Sequence, residues 1–312
     1  MPRKLRVQYP GAIYHVMNRG DRRDPIFTDD KDRSRFLDTL GEACAKTGWL
    51  VHAYCLMQNH FHLVIETPQP NLVAGMRWFL STYTSRYNRR HKEFGHLFSG
   101  RYKALIVDGS NTGYLKTACD YVHLNPVRAK QLRNEAELRD FRWSSYAGYL
   151  KGPKHRPKWL CVHRLLGEHG VPKDTPAGRE EFARRMELRR AAEDGLEFKA
   201  LLRGWCLGSE EFRKELLAQM REASASHTGI EVRQADELHA EQIVAAELRR
   251  RRWKEDTLVQ RRKGDPEKVK IAVRLRQETT MTLQWIARRL KMGAWTHVSN
   301  LLAAQRRKGA PV

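Results

Sequence analysis

The segment Cys55–Thr67 has the sequence CLMQNHFHLVIET and carries the strongest structural signal in the chain. Its two apolar stretches predict a strand before the MQN triplet and a second strand over Phe61–Thr67. Strand and helix patterns alternate on both sides of this pair. We predict strands over Ala12–Arg19, Trp49–Leu56, Phe61–Thr67 and Leu97–Val107, and helices over Lys31–Lys46, Asn71–Arg90 and Thr112–Leu124.

The order β-α-β-β-α-β-α predicts an α+β fold, a ferredoxin-like (RRM-like) split βαβ unit with one additional helix. That last helix is expected to stop at Asn125-Pro126, because proline lacks an amide hydrogen and restricts the residue before it. Beyond residue 150 the apolar patterns have helical spacing. We therefore predict an all-α C-terminal region after the mixed domain.

His60 and His62 flank Phe61 in the sequence HFH. Side chains two residues apart on a strand point to one face, so both imidazoles project together and Phe61 points to the other face. Two imidazoles in this position can share one metal ion. Alone, an HxH pair is more often two ordinary strand histidines, so it needs a second signal before it indicates a metal site.

The second signal is YVHLNP, over residues 121–126. Tyr121 and Asn125 are i and i+4 and are therefore neighbours on one helical face. A phenol beside an amide oxygen fits a nucleophile beside a metal ligand. Alone, this pair is more often a surface tyrosine and a helix-capping asparagine.

Phosphodiester cleavage explains both signals together. Two imidazoles and one amide oxygen leave positions on a metal ion open for a phosphate oxygen, whose developing charge the metal stabilises. A tyrosine hydroxyl can attack the phosphorus and form a covalent phosphotyrosine. That linkage conserves the energy of the phosphodiester, so rejoining needs no ATP. Consistent with this, the chain contains no GxxxxGK[ST] motif.

The charge of the chain indicates a polyanionic partner. Its 312 residues include 58 Lys and Arg against 36 Asp and Glu, a formal net charge of +22, and the pI is about 10.1. Residues 1–130 contain 20 basic and 11 acidic side chains, and residues 247–312 contain 18 and 6. Two basic ends joined by a near-neutral middle favour two modules that face nucleic acid.

Membrane insertion and secretion do not fit the sequence. No apolar run approaches the roughly 18 residues of a spanning helix. No apolar region follows the basic N-terminus MPRKLRVQYP, as a secretory signal would require. The five cysteines, at positions 44, 55, 119, 161 and 206, form neither a disulfide framework nor a CxxC zinc site. We expect a cytoplasmic protein with reduced thiols and no membrane partner.

Five stretches resemble the HUH single-tyrosine transposases and, among them, the REP-associated tyrosine transposases. They are AIYHVMNRG, CLMQNHFHLVIET, FSGRYKALIVD, DYVHLNPVRA and RWSSYAGYL, in this order over about residues 5 to 150. The resemblance implies that His60 and His62 bind a divalent metal, Mg²⁺ or Mn²⁺, and that Tyr121 is the nucleophile. It implies Asn125 as the third ligand, where the wider family often has the longer amide Gln. A bacterial, nucleoid-associated protein is expected.

The same resemblance implies nicking and strand transfer of single-stranded DNA at hairpin or repeat elements, through a 5′-phosphotyrosine intermediate, by a monomer or homodimer. Basic residues near the motifs are predicted to contact phosphates. They are Arg19, Arg22, Arg23, Arg86, Arg89, Arg90, Arg101 and Lys103. Tyr83, Tyr87 and Tyr102 lie among them and are candidates for base stacking. Tyr83 also falls on the apolar stripe of its helix, which favours a core position.

The C-terminus has a helix-turn-helix pattern, in which TLQWIARRL (282–290) and AWTHVSNLL (294–302) flank a KMG turn. Arg288 and Arg289 are candidate DNA contacts, and double-stranded DNA is a candidate partner of this region. A helical hairpin that only packs is the alternative. We predict a catalytic domain over 1–150, a helical middle region over 151–222, a linker and helix over 223–246, and a basic DNA-binding region over 247–312.

Two other functions stay open at the level of sequence. One is a catalytically silent DNA-binding regulator that keeps the same fold and the helix-turn-helix. The other is a metal-dependent hydrolase that uses activated water, with Tyr121 incidental. An intact set of His60, His62 and Tyr121 favours the transposase, because a binding module has no use for a nucleophile beside a metal site. The polar residues His52, Glu66 and His123, near the motifs, are predicted to have solvent or core roles.

Overall fold

A computed structural model of the chain describes residues 6–110, 113–133, 136–192, 201, 204–226 and 231–307. The chain divides into two compact units. The first comprises residues 1–44, 48–70 and 79–226, and the second comprises residues 45–47, 71–78 and 227–312. In the described ranges, no helix is both long enough and apolar enough to cross a membrane.

The first unit is built on one mixed sheet. Its strands are β1 (Ala12–Arg19), β2 (Leu50–Met57), β3 (His60–Thr67), β4 (Lys103–Val107) and β5 (Cys206–Leu207). The strand order is β2-β3-β1-β4-β5, and every pair is antiparallel except β4 with β5. The first four strands have the order of a ferredoxin-like split βαβ unit. The predicted α+β fold is therefore confirmed.

Helices connect and cover these strands. Up to residue 226 they are α1 (Asp30–Thr47), α2 (Leu72–His91), α3 (Tyr114–His123), α4 (Asn125–Arg128), α5 (Tyr146–Tyr149), α6 (His163–Glu168), α7 (Pro176–Ala191) and α8 (Glu210–Ser226). α1 begins where the Asp29 carboxylate accepts a hydrogen bond from the Asp32 amide at 3.0 Å. It ends at Gly48, whose φ of 72° is the left-handed conformation that glycine adopts readily. The three helices predicted for the N-terminal domain are present, although Thr112 lies outside the described residues.

The structure corrects the strand prediction at two places. The fourth strand covers Lys103–Val107 and not Leu97–Val107. Its predicted first part is a turn, because Gly100 has a φ of 67° and Phe98 forms only an isolated bridge with Gly20. β5 was not predicted, because two residues are too short to show an alternating pattern. It pairs in parallel with β4, between Ile106 and Cys206.

The two faces of the sheet pack differently. One face packs against α1 and α2 through a cluster of aromatic rings, which includes Phe36, Phe61, Phe79 and Tyr83. The other face packs against α3 in a core formed by side chains such as Val64, Leu105, Leu115 and Val122. This second core also contains Tyr149, Leu165 and Phe182, so it is shared between the chain before residue 150 and the chain after it.

The edge strand β2 is hydrogen-bonded to the segment 143–161. The Leu56 amide donates to the Trp143 carbonyl at 2.9 Å. Farther along the strand, the Cys161 amide donates to the Val51 carbonyl at 2.8 Å. At the other edge of the sheet, the Asp108 amide donates to the Leu207 carbonyl at 2.8 Å. Both outer strands of the four-stranded core are therefore paired with later parts of the chain.

The chain after residue 226 is helical. Its helices are α9 (Glu231–Arg251), α10 (Glu255–Gln260), α11 (Pro266–Glu278), α12 (Leu283–Arg289) and α13 (Trp295–Arg307). The linker expected from Ala223 onward is helical as far as Ser226, because α8 continues that far. Residues 227–230 of that segment lie outside the described residues.

The core of this helical region contains apolar residues from both sides of the KMG turn. Ile286, Ala287, Leu290 and Val298 are buried there, and Leu301 packs against them half-buried. The ammonium of the buried Lys268 donates to the Leu258 carbonyl at 2.6 Å and also to the carbonyls of Arg261 and Lys291. These bonds join the end of α10 and the turn after α12 to α11. The helix-turn-helix assignment and its role in DNA binding remain predictions.

Candidate functional site

His60 and His62 open strand β3 and point to the face of the sheet that α3 covers. Their ring centroids are 5.1 Å apart and their ring planes are nearly perpendicular, at 81°. Phe61 lies on the other face, where its ring contacts those of Phe36 and Phe98. The alternation predicted from HFH is therefore observed.

Both imidazoles are neutral at physiological pH. Burial, reinforced by the charge of Arg19, lowers the pKa of His60 to about 4. Burial also lowers the pKa of His62 well below its usual value, and the neighbouring His15 and His60 add to that shift. A neutral imidazole keeps one nitrogen lone pair, and this is the form that binds a metal.

A hydrogen bond fixes the tautomer of His60. Asn59 donates from Nδ2 to the Arg23 carbonyl at 2.9 Å, and its Oδ1 lies 2.8 Å from Nδ1 of His60. An amide oxygen only accepts hydrogen bonds, so Nδ1 of His60 carries the proton. The lone pair of His60 is therefore on Nε2, where it is available to a ligand.

His15 of strand β1 contacts His62. Its Nε2 lies 2.9 Å from Nδ1 of His62, and the two rings are parallel within 8°. In the strand register His15 is opposite Val64, and this places its side chain diagonally next to His62 on the same face. Burial, and then the charge of Arg128, lowers the pKa of His15 to about 4. Sequence reasoning missed this residue, because only the register of β1 against β3 brings it to the site.

Tyr121 lies on α3 above these rings. Its ring centroid is 5.6 Å from that of His62 and 5.5 Å from that of His15. The tyrosine ring is nearly perpendicular to both, at 77° and 73°. Tyr121 is 7 % exposed. The structure thus brings the predicted nucleophile next to one of the two predicted metal-binding histidines.

Arg128, the last residue of α4, contacts Tyr121 in two ways. The centre of its guanidinium lies 4.2 Å from the centroid of the tyrosine ring, and its Nη2 donates to the Tyr121 carbonyl. The charge of Arg128 is also one cause of the lowered pKa values of His15 and His62. Its positive charge therefore acts on the whole cluster. Arg128 was not among the site residues predicted from the sequence.

Asn125 is buried at the first residue of α4, one helical turn after Tyr121. Leu124, between α3 and α4, keeps helical backbone angles, with φ −84° and ψ −2°. Its amide donates to the Asp120 carbonyl at 2.8 Å, as in a continuous helix. The i, i+4 relation that the sequence suggested is therefore preserved across the break. The role of Asn125 as a third ligand stays a prediction.

The chemistry of these donors fits a divalent metal ion. Two neutral imidazoles offer nitrogen ligands, and an amide such as Asn125 offers an oxygen. Among the residues that the structure describes, no group of three or more His, Cys, Asp or Glu side chains is arranged to hold a metal. A metal at His60 and His62 would therefore need a ligand of another type, and positions would stay open for phosphate oxygens.

A buried ionic network anchors α3 beneath the site. Asp120 is fully buried, and one carboxylate oxygen lies 2.9 Å from Nε2 of His169. The other oxygen accepts a hydrogen bond from Nε of Arg189 at 2.6 Å. Both partners come from the chain after residue 150. That region therefore helps to fix the helix that carries Tyr121, a role that its sequence did not reveal.

Two of the predicted DNA-contact residues share the histidine face. Arg19 is paired with His60 across β1 and β3, and Lys103 is paired with Met17 across β1 and β4. Residues directly opposite each other on antiparallel strands point to the same side. Nε of Arg19 has no hydrogen-bond partner among the described residues. These two cations are well placed to attract a phosphate backbone.

The other predicted DNA contacts fall into two groups. Exposed side chains are found at Arg22, Arg23, Arg89, Arg101 and Arg288. Carboxylates hold Arg86 (through Glu42), Arg90 (through Asp29 and Asp32) and Arg289 (through Glu241 and Glu255). An arginine that already pairs with carboxylates must give up those bonds before it binds a phosphate. The members of the second group are therefore weaker candidates.

The stacking role predicted for Tyr83, Tyr87 and Tyr102 does not fit their positions, because all three side chains are buried. The Tyr83 hydroxyl donates to the Ile26 carbonyl at 2.7 Å, and the Tyr87 hydroxyl is hydrogen-bonded to that of Thr28 at 3.0 Å. A base could reach these rings only if the core opened. The expectation that Tyr83 belongs to the core is confirmed.

The polar residues near the motifs have structural roles, as expected. His52 lies 2.9 Å from Oε2 of Glu66, which also accepts a hydrogen bond from Arg164 at 2.9 Å. His123 is buried with its Nε2 2.8 Å from the Ser145 hydroxyl. These contacts use the side chains within the fold and leave them out of the site.

Comparison with known proteins identifies a family, and solved structures, to which this chain is similar. Residues 8–125 match the model of a family described as IS200-like transposases, and this segment contains every residue from His15 to Asn125 discussed above. A solved structure of a REP-associated tyrosine transposase bound to a REP hairpin is similar at 13% identity and a TM-score of 0.41. The similarity covers 52% of this chain and 92% of that one. No curated protein matches the chain.

Proposed function

We propose that this protein, whose residues 8–125 belong to the IS200-like transposase family, nicks single-stranded DNA and transfers the cut strand through a 5′-phosphotyrosine intermediate. One observation carries the proposal: the Tyr121 ring stands perpendicular to the ring of His62 at 5.6 Å. A phenol held beside imidazoles that can bind a metal is the arrangement that nucleophilic cleavage of a phosphodiester needs.

Each residue of the cluster has a role in this mechanism. Oη of Tyr121 attacks the phosphorus as the phenol loses its proton, and the bond between phosphorus and the 3′ oxygen breaks. That oxygen takes up a proton and leaves as a 3′-hydroxyl, which can reverse the step later. His60, His62 and Asn125 would hold Mg²⁺ or Mn²⁺, which when bound supplies Lewis-acid stabilisation of the phosphate oxygens.

The substrate that we propose is single-stranded DNA at hairpin or repeat elements, in agreement with the family resemblance. Arg19 and Lys103 would attract its phosphates towards the histidine face, since both share that face. The net charge of +22 favours such a polyanion over any neutral substrate.

The basic C-terminal region is proposed as a second, double-stranded DNA-binding module. The start of α13 exposes Trp295, Thr296 and His297, and Trp295 is 53 % exposed. In a helix-turn-helix, residues at this position of the second helix contact base edges in the major groove. Exposed basic side chains also occur in the loop before α11, at the end of α12 and in the turn after it. They are Arg262, Lys263, Arg288 and Lys291.

Packing contacts bring the loop before α11, which carries Lys263, close to the turn that precedes α13. The Lys263 side chain packs closely over Gly293. A Cβ atom added at this glycine would lie only 3.2 Å from Cδ of Lys263. A Cβ at Gly264 would lie 3.5 Å from Nε2 of His297. The loop before α11 therefore flanks the turn that precedes α13. Because carboxylates hold Arg289, this proposal relies on Arg262, Lys263 and Lys291 together with Arg288.

Trapping a covalent adduct tests the catalytic proposal against both alternatives. The wild-type protein with Mn²⁺ and a labelled single-stranded hairpin should give a protein–DNA species that survives denaturation. Tyr121→Phe removes only the hydroxyl, so adduct and cleavage should disappear while the fold and DNA binding remain. Tyr87→Phe is the matched control, because it removes a hydroxyl on the opposite face of the sheet.

The three functions predict different results. Cleavage by Tyr121→Phe at a tenth of the wild-type rate or more would indicate a hydrolase that uses water. DNA binding without any cleavage by the wild type would indicate a silent regulator. Only cleavage with an adduct that depends on Tyr121 supports the transposase.

A further inference from the structure

His15 is a buried histidine at the site to which the mechanism above gives no role. Its Nε2 and Nδ1 of His62 are 2.9 Å apart, which is hydrogen-bond distance between two ring nitrogens. The two rings are parallel within 8°, with centroids 5.2 Å apart. Tyr121 contacts both rings at nearly equal distances. His15 therefore belongs to the cluster as closely as His62 does.

Two tautomeric arrangements satisfy this hydrogen bond. Only one proton can lie between the two nitrogens. If His15 donates it, Nδ1 of His62 is occupied as an acceptor and the other proton of His62 is on Nε2, which leaves no lone pair for a metal. If His62 donates it from Nδ1, its lone pair is on Nε2 and is available to a metal. Only the second arrangement matches the state that Asn59 imposes on His60, with the proton on Nδ1.

We propose that His15 is a positioning residue, which accepts a hydrogen bond from Nδ1 of His62 and thereby holds Nε2 of His62 open to the metal. The inference rests on the proposed function, because it concerns the same metal site. Histidines that bind metals commonly donate their second ring nitrogen to an acceptor, and this contact fixes both tautomer and ring orientation. Here the acceptor is a second histidine from the neighbouring strand, and Asn59 has the same role for His60.

The parallel arrangement has a second effect, on Tyr121. Because the tyrosine ring stands across both imidazoles, a change in the orientation of His62 would also change the surface on which Tyr121 rests. His15 thus connects the position of the metal ligand to the position of the nucleophile. Its loss should disturb metal binding first, since the direct contact of His15 is with His62.

Two substitutions separate the hydrogen bond from the bulk of the ring. His15→Gln places an amide oxygen near the position of Nε2, so it can still accept from Nδ1 of His62. His15→Leu fills the space without an acceptor. His52→Leu is the matched control, because His52 is also a buried strand histidine but its partner is Glu66.

The first readout is the Mn²⁺ affinity of the DNA-free full-length protein. It is measured by electron paramagnetic resonance of the free ion. We expect His15→Leu to lose about tenfold or more of the affinity, the usual range for removing such a partner. His15→Gln should stay within about threefold of the wild type, and His52→Leu should be unchanged. Equal affinities for the wild type and His15→Leu would overturn the proposal, and so would a wild type that binds no Mn²⁺.

The tautomer of His62 in the wild-type protein is the second readout. Long-range ¹H–¹⁵N correlation of metal-free protein with labelled histidine should show the proton of His62 on Nδ1. A proton on Nε2 would overturn the proposal, and this result can be obtained even if His15→Leu does not fold. Neither readout depends on cleavage. If no covalent adduct forms while both readouts are as expected, the proposed function fails and the role of His15 stands.

Discussion

The guanidinium of Arg128 lies over the ring of Tyr121, with its central carbon 4.2 Å from the ring centroid. A cation at this distance is attracted to the π face of a tyrosine. The same side chain donates to the Tyr121 carbonyl, so it also ties the end of α3 to α4. Arg128 is therefore placed to assist the nucleophile electrostatically, through its charge at the ring, and structurally, through its hydrogen bond to the backbone.

Replacing Arg128 should slow the attack without unfolding the protein. Arg128→Gln removes the charge, and we expect the rate of adduct formation to fall about tenfold, the scale of a partly desolvated cation–π contact. Arg128→Lys keeps the charge and should lose less. Arg139→Gln, at an exposed arginine paired with Glu137, is the control. Single-turnover rates on a labelled hairpin measure the effect, and a wild-type rate for Arg128→Gln would exclude this role.

Metal removal and ligand substitution should have graded effects. Cleavage should stop in EDTA and in His60→Ala or His62→Ala, because each removes the ion or one of its nitrogen ligands. Asn125→Ala should have a milder effect than either histidine substitution: the variant should still cleave but need a higher Mn²⁺ concentration, because water can take the place of an amide oxygen. The measurement is the cleavage rate as a function of Mn²⁺ concentration. Undiminished cleavage in chelator would contradict the metal site, and a fully active Asn125→Ala would exclude Asn125 as a ligand.

The contact between His52 and Glu66 predicts a pH-dependent stability. Burial opposes protonation of His52, but the neighbouring Cys161 and Glu66 outweigh it and raise the pKa. A histidine whose pKa is higher in the folded state stabilises the fold below its unfolded pKa of about 6.5, and loses that contribution as the pH rises through the folded value. We therefore expect the contribution of this contact to the free energy of unfolding to decrease from pH 6.5 towards pH 9.

Glu66→Gln provides the comparison for this effect. It removes the carboxylate that His52 faces, so the difference in unfolding free energy between the wild type and the variant should shrink from pH 6.5 to pH 9. Burial lowers the pKa of His60 and His123 to about 4, so over this range these two titrate only in the unfolded state, and their effect on stability is the same in both proteins and cancels in the difference. Urea unfolding at several pH values measures the difference. Parallel curves for the wild type and the variant would show that the pair does not titrate with folding.

Salt dependence tests the C-terminal module. The triple variant Arg262→Gln, Lys263→Gln and Lys291→Gln tests the contacts of this region with phosphates. On duplex DNA, log affinity falls as log salt rises, and each lost phosphate contact should make this fall less steep by about 0.9. Arg274→Gln is the control, because Glu247 and Glu278 hold that arginine. Fluorescence anisotropy with a short duplex and a single strand at several salt concentrations gives the slopes. An unchanged slope on the duplex would mean that these helices only pack.

The order of elements in the mixed domain could be predicted because each element has a clear period or an apolar run in the sequence. Strand β3 is marked by the apolar residues Leu63, Val64 and Ile65, and proline after Asn125 marks where α3 ends. The fourth strand was predicted too long, because an apolar stretch before Ser99-Gly100 looks like strand until its turn geometry is known. Strand β5 has two residues, and so short a segment has no period to detect.

From the sequence alone, site residues could be related to one another only where they lie on the same strand or helix. His60 and His62 share a strand, and Tyr121 and Asn125 share a helical turn, so spacing alone relates the members of each pair. His15 and Arg128 reach the site from other elements, and their positions depend on strand register and on the short helix α4. The same reason explains why some basic residues were overrated as DNA contacts. The carboxylates that hold Arg90 and Arg289 lie on other elements, and the sequence does not reveal these ion pairs.

The pairing at both borders of the sheet has a consequence for self-association. Segment 143–161 bonds along β2, and β5 covers the end of β4, so neither border presents a long row of free backbone donors and acceptors. Unprotected borders of this kind are where a strand from a second molecule can add, in amyloid-like stacking or in domain exchange. A second copy that tried to extend this sheet would first have to displace a part of the chain that already belongs to the core. Strand addition is therefore a route to aggregation that this fold resists.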